Sequence, residues 1–186
     1  TTASYNTAVG YDALTANTAA YNTALGRSAL SANTTGESNT AIGLNALNSN
    51  TTANNNVAIG RNSLVNNTTG TQNIAIGAYA LDANTTANSN VAMGYNTLGA
   101  NTTGDQQTAV GTYALQANTT GLQNSAFGST ALYSNTTADN NTAVGFQALY
   151  TNTTGTRNTS VGALALDANT TADGNTAIGY EALTDN

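Results

Sequence analysis

The chain has 186 residues, a net charge of −6, and no Cys, Pro, His, Lys or Trp; Thr (36), Ala (34) and Asn (30) fill 100 positions and Gly another 18. That composition excludes disulfide scaffolds and thiolate metal sites, leaves out the usual general base, and argues against nucleic acid and anionic membranes as partners. No apolar run approaches the ~18 residues of a membrane-spanning helix, so no membrane insertion is expected, and the absence of an initiator Met implies a processed or excised chain.

Glycine recurs at 10, 26, 43, 60, 77, 94, 111, 128, 145, 162 and 179, so the period is 17 with one early deletion near 19–21. With Asn39 as column 1, the unit reads N-T-A-[VI]-G-x-x-A-L-x-x-N-T-T-[GA]-x-x. Columns 5, 9 and 12 are Gly, Leu and Asn in all eleven copies, and column 4 is always a large apolar residue. All twelve ionisable residues fall in columns 6, 7, 10, 11, 16 or 17, as do all aromatics except Phe127. Those six columns are expected to face water.

Columns 1–4 read as a short strand. The column-5 glycines, such as Gly43, Gly60, Gly77 and Gly94, then permit a bend or a close backbone approach. Columns 7–11 read as a second strand or an irregular straight, with a rival in which columns 6–11 make one helical turn. Asn-Thr-Thr-Gly/Ala in columns 12–15 reads as a corner. A 17-residue unit is too short for two helices, and its Asn, Thr and Gly content disfavours helix interiors. The expected fold is an all-β, parallel β-solenoid (β-roll) of eleven 17-residue coils, a single domain over 1–186 without distinct capping repeats. Stacked at ~4.8 Å, eleven coils give a rod roughly 50 Å long. Strict apolar columns and scarce charge argue against disorder.

Stacking brings identical side chains into register. Asn39, Asn56 and Asn73 in column 1, and Asn50, Asn67 and Asn84 in column 12, are expected to form amide ladders. The same column-12 asparagines begin nine Asn-Thr-Thr glycosylation patterns, read here as ladder residues. The expected core pairs column 4 with column 9: Ile42, Leu47, Ile59, Leu64, Ile76 and Leu81. Alternation sets columns 2 and 4 on one strand face and column 3 on the other. Because column 3 is Ala or Ser, neither face looks solvated. The Ala stripe is therefore a candidate contact with a second chain, unless it faces a tight interior.

At the ends, Asn186 occupies column 12 and Thr1, Thr2 and Ala3 resume the motif in phase. Thr1, Thr2, Ala3, Asp185 and Asn186 are thus the candidate head-to-tail junction between copies of the chain.

The strand motif, as in Asn39-Thr40-Ala41-Ile42-Gly43, Asn56-Val57-Ala58-Ile59-Gly60 and Asn90-Val91-Ala92-Met93-Gly94, resembles the head repeats of trimeric autotransporter adhesins and the shaft repeats of phage tail-fibre-like proteins. That resemblance implies an extracellular, trimeric, adhesive or spacer fibre whose motif strand forms the inner wall of a β-roll. The unit here is longer by its Asn-Thr-Thr corner, and no coiled-coil stalk or membrane anchor accompanies it.

No catalytic, metal or cofactor site is expected. The acids are scattered over the water-facing columns, the glycines never form G-x-G-x-x-G, and the calcium signature G-G-x-G-x-D is absent. The expected role is a self-associating extracellular rod, with the protein itself as partner. Surface or glycan contact through tyrosines, and ice binding through the Thr columns, are kept as further possibilities.

Overall fold

The computed structural model describes residues 3–184. Its eleven strands are β1 (Thr7–Val9), β2 (Thr23–Leu25), β3 (Thr40–Ile42), β4 (Val57–Ile59), β5 (Ile74–Ile76), β6 (Val91–Met93), β7 (Thr108–Val110), β8 (Ser125–Phe127), β9 (Thr142–Val144), β10 (Thr159–Val161) and β11 (Thr176–Ile178). They form one parallel sheet in chain order. Like columns pair without slip, as in Ala41↔Ala58 and Ala58↔Ala75. The chain is therefore an all-β solenoid, making ten turns of about seventeen residues between its first and last strand. Among the described residues there is no helix, which removes the helical-turn rival for columns 6–11.

Columns 7–11 do not form a second strand. They follow an irregular path in which column 7 and column 9 both adopt left-handed backbone, for example Asn62 (φ 56°) and Leu64 (φ 49°). Column 17 does the same, as in Gln72 (φ 60°). Left-handed backbone costs an ordinary L-residue ~1–2 kcal/mol. Inter-coil hydrogen bonds and burial offset that cost. The Leu64 amide donates to the Ala80 carbonyl of the next coil at 3.0 Å, and the Asn62 amide donates to the Leu44 carbonyl of the preceding coil at 2.9 Å. The leucine itself is fully buried from Leu30 to Leu166, worth ~1.5–3 kcal/mol for each side chain.

The interior is built mostly from small groups. Column-3 alanines are fully buried in β2 to β9, except that the column carries a buried Ser160 in β10. The Ser160 hydroxyl donates to the column-8 carbonyl of Ala165 at 2.7 Å, so the two walls of the coil meet at hydrogen-bonding distance. Only the column-9 leucine has room to be large. This corrects the expected core. Leu47, Leu64 and Leu81 are interior, whereas Ile42, Ile59 and Ile76 are only half-buried on the opposite strand face. Column 3 faces inward because walls this close admit alanine but not isoleucine, so column 4 must point outward.

The two asparagine columns do different work at the corner. In column 12 each amide donates to the amide oxygen of the preceding coil: Asn50 to Asn33 at 2.8 Å, Asn67 to Asn50 at 3.1 Å, Asn84 to Asn67 at 2.8 Å. In column 1 the amide oxygen instead accepts the backbone N–H of the next asparagine, as Asn39 does from Asn56 (3.0 Å) and Asn56 from Asn73 (2.9 Å). Both columns also donate to the same column-15 carbonyl. Asn56 and Asn67 each reach the Gly70 oxygen at 2.9 Å. The nine Asn-Thr-Thr asparagines are buried, so the folded coil offers none of these amides to a glycosylating enzyme. Column 1 departs once, at Gln107, whose longer amide reaches the Gly121 carbonyl while the neighbouring Asn90 Nδ2 has no partner.

Candidate functional site

A three-residue strand with alanine at its centre turns its two flanking side chains outward. Repeated in register over eleven strands, with Ser160 in place of alanine in β10, this makes a continuous outer face of columns 2 and 4. The face carries no charged residue. Its middle is the most apolar part, where Val57 and Ile59, Ile74 and Ile76, and Val91 and Met93 lie on three successive strands. These side chains keep contact with water: Ile74 is 37 %, Met93 39 % and Phe127 41 % exposed. Parallel sheets are ordinarily covered on both faces. Here the chain itself covers only the alanine side.

Just past the column-5 glycine, column 6 carries two of the three arginines, Arg27 and Arg61, and several aromatics. The Arg61 guanidinium sits 4.8 Å from the Tyr79 ring centroid, and Arg27 lies 5.9 Å from that of Tyr11.

A second regular surface runs along the corner. Column-13 hydroxyls are spent between coils, as when the Thr68 hydroxyl donates to the Thr85 carbonyl at 3.0 Å. Column-14 threonines, from Thr35 to Thr171, are exposed in every coil that has one. Column 14 therefore faces water although it never carries a charge, which the sorting of charged residues did not reveal.

The acids of column 16 are not merely solvated. The carboxylates of Asp105, Asp139 and Asp173 accept the backbone N–H of Asn88, Leu122 and Thr156 in the preceding coil, each at 2.6 Å. Asn54 and Asn88 do the same with neutral amides. The backbone and hydroxyl hydrogen bonds of Thr156, together with the charge of Arg157, hold the Asp173 carboxyl below the ordinary aspartate value. Half-burial pushes the Asp82 carboxyl above it, against the opposing pull of its own and Ala83's backbone N–H groups.

Opposite pH responses follow from these two groups. Asp173 stabilises the fold above its unfolded-state pKa, and that contribution is lost as pH falls through the depressed folded value. Asp173→Ala should therefore melt below the wild type at neutral pH, with the gap closing in strong acid. Asp82 is tolerated best when protonated, so its penalty grows as pH rises through the raised folded value. Asp82→Asn should gain about half a kcal/mol or less at neutral pH, and lose that advantage as pH falls below the aspartate range. Thermal melts from pH 7 to pH 2.5 check both.

The last described coil is open. Among the described residues no strand follows β11, and Ile178, at 72 %, is exposed there with Tyr180 and Leu183. Asn175 Nδ2 is buried without a hydrogen-bond partner. The equivalent amide of the preceding coil, Asn158, donates to Ala172 at 2.9 Å, whereas that of Asn90, inside the stack, is unpartnered as well.

Of the sequence-derived residues, Asn39, Asn56, Asn73, Asn50, Asn67 and Asn84 come together in the buried corner, and Gly43, Gly60, Gly77 and Gly94 line the end of the sheet in adjacent coils. Within the proposed junction, Ala3 is described, while Thr1, Thr2, Asp185 and Asn186 lie outside the described residues. The outer column-2/column-4 face was missed as a surface. Its signal was present in the alternation of strand residues, but the large residues were assigned to the interior. No known protein family, characterised protein or solved structure matches the chain.

Proposed function

We propose that the chain is a structural subunit of an extracellular fibre or filament, and that its work is mechanical rather than catalytic. The observation that carries this reading is an uncharged face running the length of an eleven-stranded parallel sheet, large and apolar in column 4 throughout and in column 2 at Val57, Ile74 and Val91. Such a face gains most from lying against another rod of the same kind, because two flat faces of identical repeat can pack in register along the whole sheet. Head-to-tail stacking of rods, in which one sheet edge pairs with the next, is the second part of this proposal. The resemblance of the strand motif to adhesin heads and tail-fibre shafts favours an extracellular setting, and also a variant in which three rods pack these faces around one axis.

Sedimentation and electron microscopy of the purified chain over a wide concentration range test this. Rods joined side by side and end to end are expected, or discrete three-chain particles in the adhesin-like variant. Ile76→Glu combined with Met93→Glu places charge on the outer face without entering the core. It should leave the circular dichroism spectrum unchanged and abolish lateral pairing while end-joined single rods persist. A wild-type chain that stays monomeric at all concentrations overturns the reading.

One observation favours a second reading. The exposed column-14 threonines form an unbroken row at the coil repeat, a flat hydroxyl-bearing strip of the kind that could order water as ice does. Thermal hysteresis in concentrated solution would support it, and its absence would remove it.

A further inference from the structure

The repeat also aligns its phenols. Of nine tyrosines, seven lie in ring-to-ring contact across adjacent coils. Five of them make a continuous run. Tyr79, Tyr95, Tyr113 and Tyr133 meet edge to face at centroid distances of 5.9, 5.4 and 6.5 Å, and Tyr133 then stacks on Tyr150 at 5.2 Å with 14° between the rings. A separate pair, Tyr5 and Tyr21, stacks at 5.2 Å and 4°. In both stacked pairs the two residues share a column, 10 for Tyr133 and Tyr150 and 17 for Tyr5 and Tyr21. Backbone register therefore sets the two phenol rings of each pair face to face.

We propose that these two stacked pairs are oxidative cross-linking sites that join successive coils through dityrosine. The rest of the composition favours them. The chain has no Cys or Trp and a single Met, and Met is oxidised by oxygen transfer rather than by radical coupling. Phenols are thus the groups from which a one-electron oxidant draws. A peroxidase-type oxidant with hydrogen peroxide removes one hydrogen atom, an electron and a proton, from each phenol. The two phenoxyl radicals then form a carbon–carbon bond between their ortho positions, and each ring regains aromaticity by moving its ortho hydrogen to oxygen. Two tyrosines and one hydrogen peroxide give one dityrosine and two waters. Tyr5 and Tyr21 are well exposed, and Tyr133 and Tyr150 are half-buried. An oxidant reaches them, and side-chain rotation on the ps–ns scale brings the ring edges together. The edge-to-face run from Tyr79 exchanges a radical in either direction between like phenols, and a dityrosine forms where two radicals meet on the stacked rings of Tyr133 and Tyr150.

The inference does not depend on filament formation, and it is tested in dilute monomeric solution. Peroxidase and hydrogen peroxide are added to the full chain, and the product is read by the blue fluorescence of dityrosine, by intact mass, and by peptide mapping. Two intramolecular links are expected, Tyr133–Tyr150 and Tyr5–Tyr21, each lowering the mass by two hydrogen atoms. Tyr133→Phe and Tyr21→Phe keep the ring and the stacking but should each delete one link, and together nearly all the fluorescence. Tyr79→Phe, which removes an edge-to-face phenol, should leave both links in place. Links found only between molecules, or a Tyr133→Phe variant with undiminished yield, would overturn the proposal.

Discussion

Replacing Gly77 with Ala is expected to break the solenoid in its middle. Gly77 has φ 136°, a conformation open to glycine and strained for any L-side chain. A Cβ added there stands 2.2 Å from the carbonyl oxygen of Gly94 and 2.6 Å from its carbonyl carbon. The atoms it meets are backbone and cannot swing aside. They are also pinned, because the Gly77 amide donates to Ile59 at 2.7 Å and the Gly94 amide to Ile76 at 2.8 Å. Strained backbone and overpacking together should cost about 3 kcal/mol or more. Each strand pairs only with its neighbours in the chain, so the damage should stay local and uncouple the coils on either side. A melt followed by circular dichroism should change from one transition to two, with new proteolytic cleavage between 77 and 94.

Gly174 supplies the control. It has φ 70° and nothing within 4 Å of an added Cβ, so Gly174→Ala should cost only about 1 kcal/mol for the backbone conformation. Equal losses in the two variants would mean that close approach between coils is not what requires glycine in column 5.

The same glycine column shows how far a sequence alone carries. The period, a short strand in columns 1–4 (2–4 in the structure), its parallel stacking and a bend or close approach at Gly43, Gly60 and Gly77 were legible, because each reflects one environment repeated eleven times. The inward side of the strand was not. Hydrophobicity assigns Ile42 to a core and leaves Ala41 for a surface, whereas the distance between walls decides it the other way. A left-handed leucine in every coil was hidden too. Nothing in Leu64 by itself predicts φ 49°; tertiary burial and the bond to Ala80 impose it. The outward Val57–Met93 patch follows from that same reversal, so the surface on which the proposed assembly rests was the one that residue-by-residue hydropathy misplaces. The stacked tyrosines were visible only as shared columns, since a column fixes where a side chain starts and not how its ring turns.

Asn118→Asp exchanges one NH₂ for an oxygen in the column-12 ladder, and should be among the most damaging isosteric changes in the chain. The Asn118 amide donates to Asn101 Oδ1 at 2.9 Å and to the Gly121 carbonyl at 3.2 Å, while its own oxygen accepts from Asn135 at 2.9 Å. All three asparagines are fully buried. An ionised aspartate has no hydrogen to donate and faces two oxygens, so burial and repulsion both raise its folded-state pKa above the ordinary ~3.9. With the folded pKa raised, the variant suffers its full penalty above that value and recovers as pH falls through it. A buried charge without a partner costs about 3–5 kcal/mol at neutral pH. Once protonated, the acid restores one of the two donated bonds, leaving a deficit of about 1 kcal/mol. Asn118→Ala also orphans Asn101 Oδ1, but brings no charge, so its loss should be independent of pH. Denaturant titrations of both variants at pH 7 and pH 4 separate the cases. Parallel, pH-independent losses would show that the position needs only volume. A loss for Asp alone that fades in acid shows that the ladder runs on donated hydrogens, and that no coil can exchange its asparagine without unsettling the coils above and below.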